Sequence, residues 1–157
     1  MCPQGALFFD WLVYRLTSGG FSMTSPKNWT AKTLDAAVAE VISAGIFDEP
    51  MLQARPAWQI AGAILIADCQ VAASRYWLIA GTDSPTDVIP AHVAGTPREA
   101  ARHFSLKWQL AAEQLRTGDS VAPLQITPDD LSGRVGHLVK CAESLMELVE
   151  HDSVWVD

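Results

Sequence analysis

Asp83 and Asp87 stand four residues apart around Pro85. Two carboxylates at that spacing suit a divalent cation, with His92 or Asp129 and Asp130 completing the shell. The preferred reading is local: aspartates beside a proline turn accept from the turn's own backbone N–H groups. His103 follows Glu99 by four residues. That pair suits an acid/base couple, but an exposed helix-surface pair is the ordinary use of the spacing. His137 and Cys141 repeat it. Two such side chains can begin a metal site or form a thiolate–imidazolium pair. Only two ligands are visible and Cys141 flanks an apolar seam, so a buried, inert thiol is expected. Ser74 and Ser105 lack the flanking glycines of a nucleophile elbow. No GxGxxG or GxxxxGK[ST] motif occurs, which removes the main dinucleotide and phosphate-loop readings.

Trp77, Phe104, Trp108 and Trp155 are the aromatics that could line a ligand pocket; core packing is their commoner use. The candidate ligand-binding residues are therefore Trp77, Asp83, Asp87, Phe104 and Trp108. No catalytic residue, metal ligand or cofactor is assigned, because no convergent set of titratable groups is visible.

The element that must position these residues is a helix over 96–116. Thr96 caps it, Pro97 takes the first position, and Glu99 completes a capping box that satisfies first-turn N–H groups. Ala101, Phe104, Trp108, Ala111 or Ala112, and Leu115 then recur at spacings of three and four, making one apolar stripe. A second amphipathic helix, over 29–44, turns Leu34, Ala37, Val38, Val41 and Ile42 to one side. Gly45 ends it in the left-handed conformation and lets Ile46 fold back onto Val41. A third helix starts at Thr127-Pro128 with Asp129 and Asp130 in its first turn. Leu131, Val135, Leu138, Ala142, Leu145 and Val149 form its heptad-like seam. Over 58–67, bulky Trp58, Ile60, Ile64 and Ile66 alternate with smaller residues, as in a strand. Residues 75–80, RYWLIA, make a second strand, paired antiparallel through a turn at 69–74 with weak turn chemistry. An all-helical reading of 57–73 is the rival, given its alanines. Pro90 limits Val88-Ile89 to a short edge strand. The expectation is an α+β domain: an antiparallel hairpin or three-stranded sheet against helices at about 30–44, 97–116 and 128–150.

The chain has 157 residues and a formal net charge of -7. One ordinary domain fits that length, taken as residues 23–157. The acidity and the lack of Lys/Arg clusters argue against nucleic acid or an anionic membrane as partner. Cys2, Cys69 and Cys141 form no CxxC pair, so a reducing, cytoplasmic setting is the simplest reading. Residues 6–16, ALFFDWLVYRL, are too short to span a bilayer and carry Asp10 and Arg15. Residues 1–22 read as an upstream extension with Met23 as the start, or else as a docking segment.

The run RYWLIAGTDSPTDVI, followed by REAARHFSLKWQLAAEQL, resembles domain of unknown function family 4826, small proteins of gammaproteobacteria. The resemblance covers roughly residues 29–155 and is densest over 76–115. It rests on Tyr76, Trp77, Gly81, Pro85, Thr86 and Asp87, and on the Phe104-Ser-Leu-x-Trp108-Gln-Leu-x-Ala112-Glu-Gln-Leu115 helix. Two departures concern loops: the turn before Pro85 is one residue longer, and the hairpin lacks an Asp-Gly. The family implies no activity. Two functional classes follow. One is a non-enzymatic cytoplasmic binding or adaptor module for an unknown protein, with a homodimer left open by the sheet edges. The other is a small-molecule-binding protein or minor enzyme with a pocket near Trp77, Trp108 and Asp87. A cavity with at least two polar groups pointing inward favours the second; a filled core with a flat apolar patch favours the first.

Overall fold

The computed structural model describes residues 25–117 and 131–155. Residues 1–22, the 118–123 loop, Thr127, Pro128, Asp129 and Asp130 fall outside the described residues.

Helix α1 spans Pro26–Ser43. It begins earlier than its apolar pattern suggests, because Ser25 Oγ accepts from Asn28 N–H at 3.3 Å and Pro26 takes the first position. Gly45 closes it at φ +68°, its N–H donating to the Ile42 carbonyl at 3.1 Å. Ala37 and Val41 are buried and Ile46 joins their cluster. Ile42, placed on the same face by the sequence, is instead 55% exposed.

Four strands follow: β1 (Met51–Ile60), β2 (Ile64–Val71), β3 (Ser74–Gly81) and β4 (Asp87–Pro90). They form an antiparallel sheet in chain order, β1-β2-β3-β4. The expected hairpin or three-stranded sheet is thus corrected to four strands, and 58–80 is not helical. The run read as one strand through Gly62 is two strands. Gly62 takes φ +81° and Ile60 pairs with Ile64 across the turn. Pro56 lies inside β1 at a register shift between Pro56 and Trp58. It is tolerated there because β1 is an edge strand, where a missing N–H breaks no central ladder. β4 is the other edge, as Pro90 requires.

Helices α2 (Pro97–Thr117) and α3 (Leu131–Glu150) complete the domain. Thr96 Oγ1 accepts from Glu99 N–H at 3.2 Å, and Glu99 Oε2 reaches back to Gly95 N–H at 2.6 Å. The helix is therefore capped from both directions, one residue wider than a strict box. Phe104 and Trp108 are wholly buried. They pack with Ile60, Ile64, Ile66, Trp77 and Ile79 of the sheet and Leu138, Ala142, Leu145 and Val149 of α3. Burying rings of that size is worth about 3–5 kcal/mol each against alanine. The opposite face of the sheet carries Ala67, Cys69, Leu78 and Ala80 beneath Ala37 and Val41 of α1. The molecule thus has three layers, with α1 on one face of the sheet and the α2/α3 pair on the other. Both faces of β2 are buried accordingly.

Side-chain hydrogen bonds fix how α2 and α3 meet. Ser105 Oγ donates to the Ala142 carbonyl at 2.6 Å. Arg98 Nε donates to the Val149 carbonyl at 2.8 Å, and its guanidinium pairs with Asp152. Trp58 and Trp155 stack with ring centres 4.0 Å apart. Their indole N–H groups donate to the carbonyls of Val154 and Leu148, both at 2.8 Å.

Candidate functional site

Asp87 opens β4 and is 3% exposed. Its Oδ1 accepts from Lys107 Nζ at 2.7 Å and from Val88 N–H at 2.8 Å. Its Oδ2 accepts from Trp108 Nε1 at 3.0 Å. The local backbone contact expected of a turn aspartate is present, but two long-range donors from α2 share the carboxylate. A buried carboxylate needs such company, because an unpaired charge away from water is costly. Sequence patterning missed this ion pair, since Lys107 lies twenty residues from Asp87.

Four of the five candidate ligand residues come together in the core, where Trp77, Phe104 and Trp108 share one cluster and Asp87 accepts from Trp108; Asp83 stands apart at a cavity. Trp77 is buried and donates its indole N–H to the Ala94 carbonyl at 2.9 Å. Phe104 fills the core with its ring centre 6.1 Å from that of Trp108. Trp77, Phe104 and Asp87 serve the core and its hydrogen bonds, while Asp83 and Trp108 are among the residues around a cavity. Trp155 stacks on Trp58, and both pack at the margin of the core that holds the other aromatics. The Glu99–His103 couple does not form, because Glu99 is engaged at Gly95 and His103 lies exposed. Among the described residues no group of three or more His, Cys, Asp or Glu side chains converges as metal ligands would.

The cavity holds about 280 Å3. It opens where the β1–β2 turn, the chain leaving β3 and the middle of α3 meet. Ala63, Ile64, Trp108, Leu145 and Leu148 give it an apolar floor. Thr82, Asp83, Ser84, His137, Lys140, Cys141 and Ser144 supply polar atoms around it. Gly81 makes the tight approach possible: a Cβ there would stand 2.4 Å from the Ala63 carbonyl oxygen. Thr82 ties the same corner together, donating its hydroxyl to the Gly62 carbonyl at 2.8 Å.

Two polar groups define its chemistry. Ser84 Oγ is buried and has no hydrogen-bond partner among the described residues. Such orphans are uncommon, because each costs about 1–3 kcal/mol. Cys141 Sγ lies 3.3 Å from the Asp83 carbonyl, to which the thiol donates, and 3.6 Å from His137 Nε2. Burial pushes the Cys141 thiol up to about 11; Asp83 adds to the rise and Lys140 opposes it. The thiol is protonated at neutral pH, so the pair is not a thiolate–imidazolium couple. A second hollow of about 480 Å3 lies across the 82–84 turn, between α1 and the end of β3.

The 137/141 spacing made that helix face legible in the sequence. Ser84 and Lys140 carried no signal of their own, and the thiol's acceptor is a backbone atom. Leu148 stands three residues after seam residue Leu145, a place the heptad count leaves empty.

The sequence model of the family "Domain of unknown function (DUF4826)" matches residues 25–155. The chain belongs to that family. No curated protein and no solved structure matches the chain.

Proposed function

We propose that this protein binds a small organic molecule in the cavity between α3 and the 82–84 turn. The observation that carries the reading is a cavity with an apolar floor of Ala63, Ile64, Leu145 and Leu148 and a polar edge of Thr82, Asp83, His137, Lys140 and Ser144. Ligand sites combine those features: apolar walls for affinity and a few fixed polar groups for orientation. The volume, about 280 Å3, suits a metabolite of roughly ten non-hydrogen atoms, just under the usual ~300–1,000 Å3 range. The pocket centres on Trp108, Asp83, Ser84 and Cys141 instead of on Trp77 and Asp87. We place the protein in the bacterial cytoplasm, a setting supported by three scattered cysteines. Among the described residues no helix is long and apolar enough to cross a membrane.

The test is a thermal-shift screen of metabolites against the full chain. A true ligand at one hundred times its Kd adds about 2.7 kcal/mol, or about 5–10 °C in Tm for a chain of this size. Cys141→Phe fills the cavity from the α3 side and should abolish the shift while keeping the native circular dichroism. Shifts that survive the filled cavity, or a screen without any, refute the reading.

A second reading, the binding or adaptor module, draws on the outer face of α2. Leu106 and Leu110 are 50% and 60% exposed one helical turn apart. Two exposed leucines can seat a partner helix or a second copy of the chain. Light scattering of the wild type and of the Leu106→Glu/Leu110→Glu double variant separates these occupants. A dimer that dissociates in the variant supports self-association, and a monomer in both leaves only a different protein as occupant.

A further inference from the structure

The cavity combines a neutral interior with opposite charges at its rim. Inside stand Trp108, Leu145, Leu148 and the protonated Cys141 thiol. At the rim stand Asp83 and Lys140, both exposed. Neither side chain forms an ion pair among the described residues, where the pairs join Asp68, Asp87, Asp152 and Glu113 to Arg or Lys. Both residues line the same cavity opening. An anion alone would meet Asp83 unfavourably, and a cation alone would meet Lys140 the same way. A ligand with both charges on one end and an apolar body on the other satisfies the rim and the floor together.

Resting on the ligand-binding reading above, we propose that the cavity takes an apolar zwitterion of the amino-acid class. Its ammonium faces Asp83 and its carboxylate faces Lys140, with His137 beside them. Its side chain lies on Ala63, Ile64, Leu145 and Leu148, which floor the cavity. The volume admits side chains of leucine or phenylalanine size. No covalent step is implied: the Cys141 thiol is neutral and already donates to the Asp83 carbonyl.

Isothermal titration of the full chain with four probes tests this. They are L-phenylalanine, phenethylamine without the carboxylate, 3-phenylpropionate without the ammonium, and uncharged benzyl alcohol. L-Phenylalanine should bind roughly three- to tenfold tighter than either singly charged probe, since each probe lacks one of the two charge pairings at a solvent-exposed rim. Asp83→Asn should erase its advantage over 3-phenylpropionate. Lys140→Gln should erase its advantage over phenethylamine. Both sites are exposed, so both variants should fold, and circular dichroism checks that they do. If benzyl alcohol or a singly charged probe binds as well as L-phenylalanine, the amino-acid class is wrong while the cavity reading stands. If no probe binds while the metabolite screen gives a cavity-dependent hit, the class is again wrong; if both are silent, the two readings fail together.

Discussion

Asp87 shows how one residue can look like a site and serve as a fastening. Its carboxylate takes three donors, two of them from α2, so it locks the edge strand β4 to the helix that carries Trp108. Asp87→Asn keeps the shape but leaves Lys107 without its counter-charge. Breaking a fully buried pair costs about 3–5 kcal/mol, and Lys107 is 36% exposed, so water recovers part of that. The expected loss is about 2 kcal/mol in urea denaturation. Asp87→Asn/Lys107→Met, which removes both charges, should be more stable than the single variant. An unchanged midpoint in Asp87→Asn would mean that the pair contributes nothing net. Cys69 makes a second residue-scale argument. It is fully buried, and burial first, then Asp68, pushes its thiol from 9.0 to about 12. Below pH 9 the thiol is protonated in both folded and unfolded chains, and its contribution is fully present. Between pH 9 and 12 the unfolded chain releases the proton and the folded one keeps it. Stability should then fall by up to about 1.4 kcal/mol per pH unit. Cys141, raised to about 11, adds to the fall. Urea curves at pH 8, 9.5 and 10.5 should slope less steeply in Cys69→Ala than in the wild type, and parallel slopes would contradict the assignment.

At the scale of elements, the β2–β3 turn is where local chemistry and the fold disagree. Val71 pairs with Ser74, so Ala72 and Ala73 alone make the connection. Ala72 sits at φ +53°, a region that costs an L-residue about 1–2 kcal/mol. Ala72→Gly removes that strain but adds freedom to the unfolded chain, worth about 0.4–1 kcal/mol. The net expectation is a gain of about 0.5–1 kcal/mol, read as a rise in Tm; a drop would show that Ala72 is unstrained. The absence of Gly or Asn here is why the turn was hard to see in the sequence. The β1–β2 turn was missed for a different reason. Ile60 and Ile64 are cross-strand partners, and partners share a face. A three-residue turn between them therefore leaves the alternation of Trp58, Ile60, Ile64 and Ile66 unbroken, so one continuous strand and a hairpin give the same pattern. Helix α2 was legible throughout because its cap, its stripe and its length all agree. Helix α1 lost its first turn, since Ser25-Pro26 precedes the apolar repeat. The cavity was the least legible feature. Its defining atoms are one hydroxyl, one carbonyl and two rim charges drawn from separate elements, and periodicity carries no record of them.

The whole molecule is asymmetric about its sheet. On the α2/α3 side, Phe104, Trp108, Leu145, Leu148 and the sheet isoleucines make one large core. On the α1 side the buried cluster is Ala37, Val41, Ala67, Cys69, Leu78 and Ala80, with buried Leu65 and Val71 on the same face of β2 by alternation; it holds no ring as deeply buried as Phe104 or Trp108, and Leu34, Ile46 and Phe47 are only partly covered. At roughly 25 cal/mol per Å2 of apolar surface removed from water, small side chains stabilise far less than rings and leucines do. Among the described residues, α1 shows neither of the fastenings of α2, a buried ion pair and a side chain bonded into a neighbouring helix; Thr30 Oγ1 ties it to the sheet by donating to Gln59 Oε1 at 2.6 Å. Proteins open in cooperative units whose free energies follow such differences in burial. The α1 layer should therefore detach before the α2/α3 layer unfolds. Native-state hydrogen exchange measures this directly. Amides of α1 are expected to exchange through an opening at least about 2 kcal/mol cheaper than those of α2 and β3. That opening would expose Cys69 to thiol reagents at the same free energy, because Cys69 lies under α1. Equal protection in α1 and α2, with Cys69 labelled only on global unfolding, would show instead that the two cores form one cooperative unit.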